Sequence, residues 1–199
     1  MMTPRRWHRG SAPAILLAAS LVTASAAPTP VQQDAARVNR DAQLVADFVR
    51  RTQAYAELHR KLEQTLPARP EHATPAQVET HQRALDRLLI QARPRAQQGD
   101  LFTSDIRAYF RRQIARALAG PDGRAVKDEI MDENPGRIQL RINGRYPDDI
   151  PVSTMPPQIL AVFPSLPDEL EYRFIGRRLI LLDVHAHLVL DYVDDALPR

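Results

Sequence analysis

The spacing of apolar residues changes once along this chain, at Pro135-Gly136, and that change limits the fold to few classes. Before it, apolar residues recur at steps of three and four, which is typical of amphipathic helices. After it, Ile138, Leu140 and Ile142 alternate with polar residues, as in a half-buried strand. Because helices precede strands instead of alternating with them, we predict an α+β fold, with a helical region over 27–134 and a small antiparallel β region over 135–199.

The helical region is predicted to begin with two helices that pack as an antiparallel hairpin. The first lies between Val31 and Leu66, a stretch without Gly or Pro whose apolar stripe is Leu44, Phe48, Tyr55, Leu58 and Leu62. Thr74-Pro75-Ala76-Gln77 combines the capping Thr, early Pro and third-position Gln of a helix start. We predict a third helix from Ser104 and a short fourth helix over 124–132.

The β region is predicted to be a small antiparallel meander behind a proline-rich lead-in. Prolines are frequent from Pro147 to Pro167, with room for one short helical turn near Ile159. Three strand-like runs follow, at Tyr172 to Ile175, Leu179 to Leu182 and Leu188 to Val193.

The first 26 residues have the pattern of a cleavable secretory signal peptide. Arg5, Arg6 and Arg9 precede an apolar run that ends in the small residues Ala24-Ser25-Ala26. An uncleaved anchor is the alternative, but the run of about 15 apolar residues is shorter than the roughly 20 that span a bilayer. We therefore expect cleavage near Ala26, no stable membrane anchor afterwards, and a periplasmic or secreted protein.

The charge balance after cleavage argues against nucleic acid as a partner. The chain has 27 basic and 24 acidic residues, and three of the arginines belong to the signal peptide, which has no acidic residue. The remaining chain is neutral, without a basic block of the kind that binds nucleic acid. It also has no cysteine, which excludes disulfides, a lipidated N-terminus and thiol chemistry.

Asp183, His185 and His187 are the strongest candidate metal ligands. On an extended strand these three alternate positions point to one face and offer one oxygen and two nitrogens, a set that suits zinc, nickel or copper. Asp191 is a further candidate. The alternative is a polar hairpin turn whose side chains are solvated, and we interpret strand-flanking carboxylates such as Asp183 and Asp191 in general as surface groups.

Other chemistries find little support. The helical hairpin could bring His59 near His81, with His72 in the loop between them, but no ligand spacing is present and we interpret these histidines as solvated. There is no GxSxG, GxGxxG or phosphate-binding loop motif, which argues against a serine nucleophile and a nucleotide cofactor.

One stretch of the sequence resembles a known type of small domain. Leu166 to Asp183 combines a proline-rich lead-in, a Tyr-Arg-Phe strand and an apolar strand that ends in Asp, before a hairpin and a last apolar strand. In this pattern the last 50 or so residues resemble a small domain of uncharacterised exported bacterial proteins, and they are distantly similar to periplasmic nickel/cobalt-homeostasis regulators. The resemblance implies an envelope location and a small β-meander, and it transfers no active site.

We therefore expect a non-enzymatic binding or structural module of the bacterial envelope without a cofactor, which contacts a protein partner or a second copy through its helical face. The alternative is a periplasmic divalent-metal-binding protein that uses Asp183, His185 and His187.

Overall fold

The fold is α+β, as the change of periodicity predicts. The computed structural model describes residues 30–133, 138–147, 150 and 153–199, so the signal peptide, its cleavage site and the boundary at 134–135 lie outside the described residues. In chain order the elements are α1 (Pro30–Glu63), α2 (Pro75–Ala92), α3 (Ser104–Ala117), α4 (Gly123–Asp132), β1 (Gly144–Arg145), α5 (Pro157–Leu160), β2 (Leu170–Ile175), β3 (Arg178–Asp183) and β4 (Leu188–Val193). The predicted hairpin helices and the three-stranded meander are confirmed.

Local sequence explains how α2 begins and ends. Thr74 accepts a hydrogen bond from the backbone N–H of Gln77, and the Gln77 side chain accepts one from the backbone N–H of Thr74, which is a complete capping box. Pro75 occupies the first turn, where its missing N–H is harmless. The helix ends at Ala92, with Arg93 as the cap before Pro94. α2 packs against α1, and Glu63 at the end of α1 meets His81 in the first half of α2.

The four-stranded sheet is antiparallel throughout, with the order β1-β4-β3-β2. Gly176, at φ 56°, makes the tight connection between β2 and β3. A bulge between Leu181 and Leu182 shifts the register of β3 against β4. After the bulge, Asp183 pairs with Leu188, so β3 ends where the β3–β4 turn begins.

The predicted strand at Ile138, Leu140 and Ile142 is wrong. The chain makes a turn there, closed by the Gly144 N–H donating to the Arg141 carbonyl oxygen, with Asn143 at φ 56°. Strand pairing starts only after this turn, at the two-residue β1. The alternation has another cause, because Ile138 and Leu140 pack on the outer face of the sheet.

Apolar residues cover both faces of the sheet. The larger core joins the inner face to α1, α2 and α3, and its centre is an aromatic group of Phe48, Phe102, Phe110, Phe163 and Tyr172. A smaller cluster on the outer face contains Tyr146, Ile175, Ile180, Leu182 and Val189. The apolar stripe of α1 therefore lies in the protein's own core, where Phe48 and Tyr55 are buried.

Candidate metal centre

The last two turns of α1 present three functional side chains on one face. Tyr55, His59 and Glu63 follow at intervals of four residues, which places them one above another along the helix. Tyr55 and His59 are buried, whereas the Glu63 side chain is 28% exposed at the helix end. This row of side chains faces the end of β3 and the turn that follows it.

Asp183, at the end of β3, joins that turn to α1. Its Oδ1 accepts hydrogen bonds from the backbone N–H groups of His185 (3.0 Å) and Ala186 (2.8 Å). Its Oδ2 faces the Tyr55 hydroxyl, which donates to it at 2.5 Å, and His59 Nδ1 at 2.7 Å. The carboxylate is fully buried, so these four contacts replace the water that it loses on folding.

The electrostatic environment favours a cation at the His59 ring. Burial opposes the charged imidazolium, but the hydrogen bond and negative charge of Asp183, with the charge of Glu63, outweigh burial and raise the pKa of His59. Burial and the same aspartate raise the pKa of Tyr55 well above its usual range, which keeps the phenol protonated as a donor. Because Asp183 is an acceptor, His59 carries a proton on Nδ1, and Nε2 is the atom that can bind a metal in the neutral ring.

The Nε2 side of His59 faces two further ligand groups. This buried atom has no hydrogen-bond partner among the described residues, and Glu63 Oε2 lies 3.4 Å away. The same carboxylate oxygen is 4.0 Å from His185 Nδ1 in the β3–β4 turn. The ligand atoms of His59, Glu63 and His185 all lie within 4.8 Å of one another.

One small metal ion would draw these three groups closer together. In a tetrahedral zinc site with ligand bonds of about 2.0–2.1 Å, neighbouring ligand atoms lie about 3.3 Å apart. The distance of 3.4 Å between His59 Nε2 and Glu63 Oε2 matches that value, whereas His185 Nδ1, at 4.0 Å from Glu63 Oε2, must move closer to bind the same ion. Two imidazole nitrogens and one carboxylate oxygen are ligands of zinc, nickel and copper. Asp183 would then be the carboxylate that orients a metal-bound histidine.

Two more groups border this cluster. His81 on α2 places its Nε2 3.3 Å from Glu63 Oε1, the carboxylate oxygen that does not face His59. Glu169, just before β2, is buried and accepts a hydrogen bond from Arg60 at 2.7 Å.

A cavity of about 1070 Å³ lies elsewhere, lined by residues such as Arg141, Arg178 and Asp194, and no residue of the candidate metal cluster lines it.

The sequence-predicted ligands are separated by the turn. His185 belongs to the cluster, and Asp183 lies beside it as a hydrogen-bond partner of His59. His187, at φ 56°, has its ring 6.4 Å from that of Tyr146. In the part of the chain that the structure describes, the candidate group whose ligand atoms lie within 4.8 Å of one another is His59, Glu63 and His185.

Several expectations about solvation are wrong. Asp183 and Asp191 are fully buried; Asp191 accepts hydrogen bonds from the backbone N–H groups of Gly99, Leu101 and Phe102. Burial raises the pKa of Asp191, although these N–H groups act in the opposite direction. His59 is also fully buried instead of solvated.

Glu63 and His59 are not among the candidate metal ligands predicted from the sequence. The signal was the interval of four between them, next to the apolar stripe of α1. The predicted approach of His59 to His81 is realised through Glu63, which contacts both rings. The third histidine of that group, His72, is exposed.

No family model matches this chain, and no curated protein or solved structure is significantly similar to it. The resemblance to exported bacterial domains therefore stays a prediction. Within the described ranges, no helix has the length and apolar character needed to cross a membrane.

Proposed function

We propose that this chain is an exported protein that binds a divalent transition-metal ion through His59, Glu63 and His185. One observation carries the proposal: His59 Nε2 is buried, lacks a hydrogen-bond partner within the described ranges and faces the Glu63 carboxylate. In the neutral ring, a buried polar atom left in this way costs about 1–3 kcal/mol. A metal ion at this point would remove that cost and join the end of α1 to the β3–β4 turn.

The donor set indicates the class of metal. Imidazole nitrogens suit zinc, nickel and copper, whereas magnesium and calcium take almost only oxygen ligands. Zn²⁺ is the simplest probe because it accepts a distorted tetrahedral shell. Three protein ligands would leave a fourth position for water or a further ligand, and the His185 side chain is 43% exposed.

Export and non-enzymatic binding complete the proposal. The signal-peptide pattern of residues 1–26 supports a periplasmic or secreted location. Contact with a protein partner or a second copy through the helical face stays a prediction, and the burial of Phe48 and Tyr55 limits it to the outward side of the helices.

The test is calorimetric titration of the purified protein with Zn²⁺, Ni²⁺ and Cu²⁺, and with Mg²⁺ and Ca²⁺ for comparison. We expect one bound transition-metal ion per chain and at least tenfold weaker binding in each of His59→Gln, Glu63→Gln and His185→Gln. Because His185 is partly exposed, its variant separates ligand loss from unfolding. His187→Gln is the matched control, two residues along the same turn, and we expect it to bind like the wild type.

Two results would contradict the proposal. The first is wild-type protein that binds none of the three transition metals. The second is a loss in His187→Gln equal to that in His185→Gln, together with unchanged binding in Glu63→Gln. That pattern would favour the alternating set of Asp183, His185 and His187.

A further inference from the structure

The geometry points to His81 as the residue that positions Glu63 for the metal, an inference that rests on the proposed metal site. His81 lies on α2, and its side chain is only 13% exposed. Its Nε2 is 3.3 Å from Glu63 Oε1, while Glu63 Oε2 is 3.4 Å from His59 Nε2. One oxygen of the Glu63 carboxylate therefore faces α2, and the other faces His59 on α1.

Glu63 needs such a partner because of where it lies. It is the last residue of α1, its side chain is partly exposed, and its carboxylate can rotate about several bonds. A hydrogen bond from the His81 N–H to Oε1 fixes the plane of that carboxylate and leaves Oε2 directed at the metal position. Hydrogen bonds of this kind orient the ligands in most protein metal sites.

His81 acts through Glu63 and is not itself a ligand. It falls outside the group of described side chains whose ligand atoms lie within 4.8 Å of one another. Because the hydrogen bond from His81 occupies Oε1, Glu63 can bind a metal only through Oε2. Binding through a single oxygen suits a small transition-metal ion. Calcium commonly takes both oxygens of a glutamate, so this arrangement acts against calcium.

The test compares Zn²⁺ affinity in His81→Phe and His81→Gln, with His72→Phe in the exposed loop as the control. Phe keeps a ring but has no N–H, so we expect binding 10- to 100-fold weaker than in the wild type. The Gln amide can donate to Glu63 Oε1, so we expect affinity within about threefold of the wild type. His72→Phe should bind like the wild type, and His81→Ala checks the Phe result without new ring contacts.

A double-mutant cycle adds a readout that general destabilisation would not reproduce. Once Glu63 is replaced by Gln, loss of the His81 donor should weaken Zn²⁺ binding little further, because the two residues act as one unit. Urea unfolding of each variant shows that it is folded at the titration temperature.

Each outcome separates this inference from the proposed function. Wild-type affinity in both His81→Phe and His81→Ala overturns the positioning role and leaves the metal site intact. Equal losses in the Phe and Gln variants also overturn it, because they make His81 a direct ligand. A wild-type protein that does not bind Zn²⁺, Ni²⁺ or Cu²⁺ overturns both.

Discussion

Replacement of Asp183 by Asn tests how the buried carboxylate links the fold to the proposed metal centre. Asn has the same shape as Asp and keeps one side-chain oxygen. This oxygen can still accept hydrogen bonds from the backbone N–H groups of the β3–β4 turn. Its amide NH₂ would then face Tyr55 and His59, which both contact the acidic Oδ2 in the wild type. To pair with this donor, His59 must accept at Nδ1, which moves its remaining proton to Nε2, the atom proposed to bind the metal.

The contacts set the size of the effect. A hydrogen bond to a charged group contributes about 1.5–3 kcal/mol, and two such bonds are lost at Oδ2. Part of this free energy is recovered because the Tyr55 hydroxyl can accept a hydrogen bond from the Asn amide. We expect the free energy of unfolding to fall by about 2–4 kcal/mol. Zn²⁺ affinity should fall 10- to 100-fold, as is common when the partner of a metal-bound histidine is changed.

The assays are urea unfolding followed by circular dichroism and calorimetric titration with Zn²⁺. Asp191→Asn is the matched control, because Asp191 is equally buried in the neighbouring strand but accepts from the backbone N–H groups of residues 99, 101 and 102. It should lose stability without losing Zn²⁺ affinity. The reasoning is refuted if the free energy of unfolding of Asp183→Asn lies within about 0.5 kcal/mol of the wild-type value. It is also refuted if Asp183→Asn and Asp191→Asn lose Zn²⁺ affinity equally.

Two further predictions concern the scaffold, both read from urea unfolding. Phe110→Ala removes the ring that contacts Phe48, Phe102 and Phe163, and should lower the free energy of unfolding by about 3–5 kcal/mol; a loss below 1 kcal/mol would contradict this packing. Gly123→Ala places a Cβ 1.8 Å from the Leu118 carbonyl oxygen and should cost about 2–3 kcal/mol. Gly120→Ala meets nothing within 4 Å and should stay within about 0.5 kcal/mol, so equal losses at both glycines would count against the close contact.

The helices and the meander were predictable because their signals are local. The capping residues at 74–77 place the start of α2, and β4 occupies the predicted run Leu188 to Val193. The strand at 138–142 was mispredicted because the same alternation arises when a turn lays Ile138 and Leu140 on an outer apolar cluster. Periodicity reports which side chains are buried, not whether the backbone finds a pairing partner.

The candidate metal cluster was only partly predictable because its contacts are distant in sequence. His59 meets Asp183 across 124 residues, and Tyr55 meets it across 128. The direction of the Asp183 side chain depends on the turn, whose backbone N–H groups hold one carboxylate oxygen and leave the other for α1. Alternation on a strand predicted a set without His59 and Glu63, and it includes His187, whose ring lies 6.4 Å from that of Tyr146.

A crystal structure of the Zn²⁺-loaded protein, with anomalous scattering recorded at the zinc edge, tests the central claim most directly. The proposed site predicts one strong anomalous peak about 2.0–2.2 Å from His59 Nε2, His185 Nδ1 and a Glu63 carboxylate oxygen. In that structure His59 Nδ1 stays hydrogen-bonded to Asp183. A peak bound to His185 and His187 without His59, or crystals grown with excess zinc that show no peak near Glu63, would contradict it.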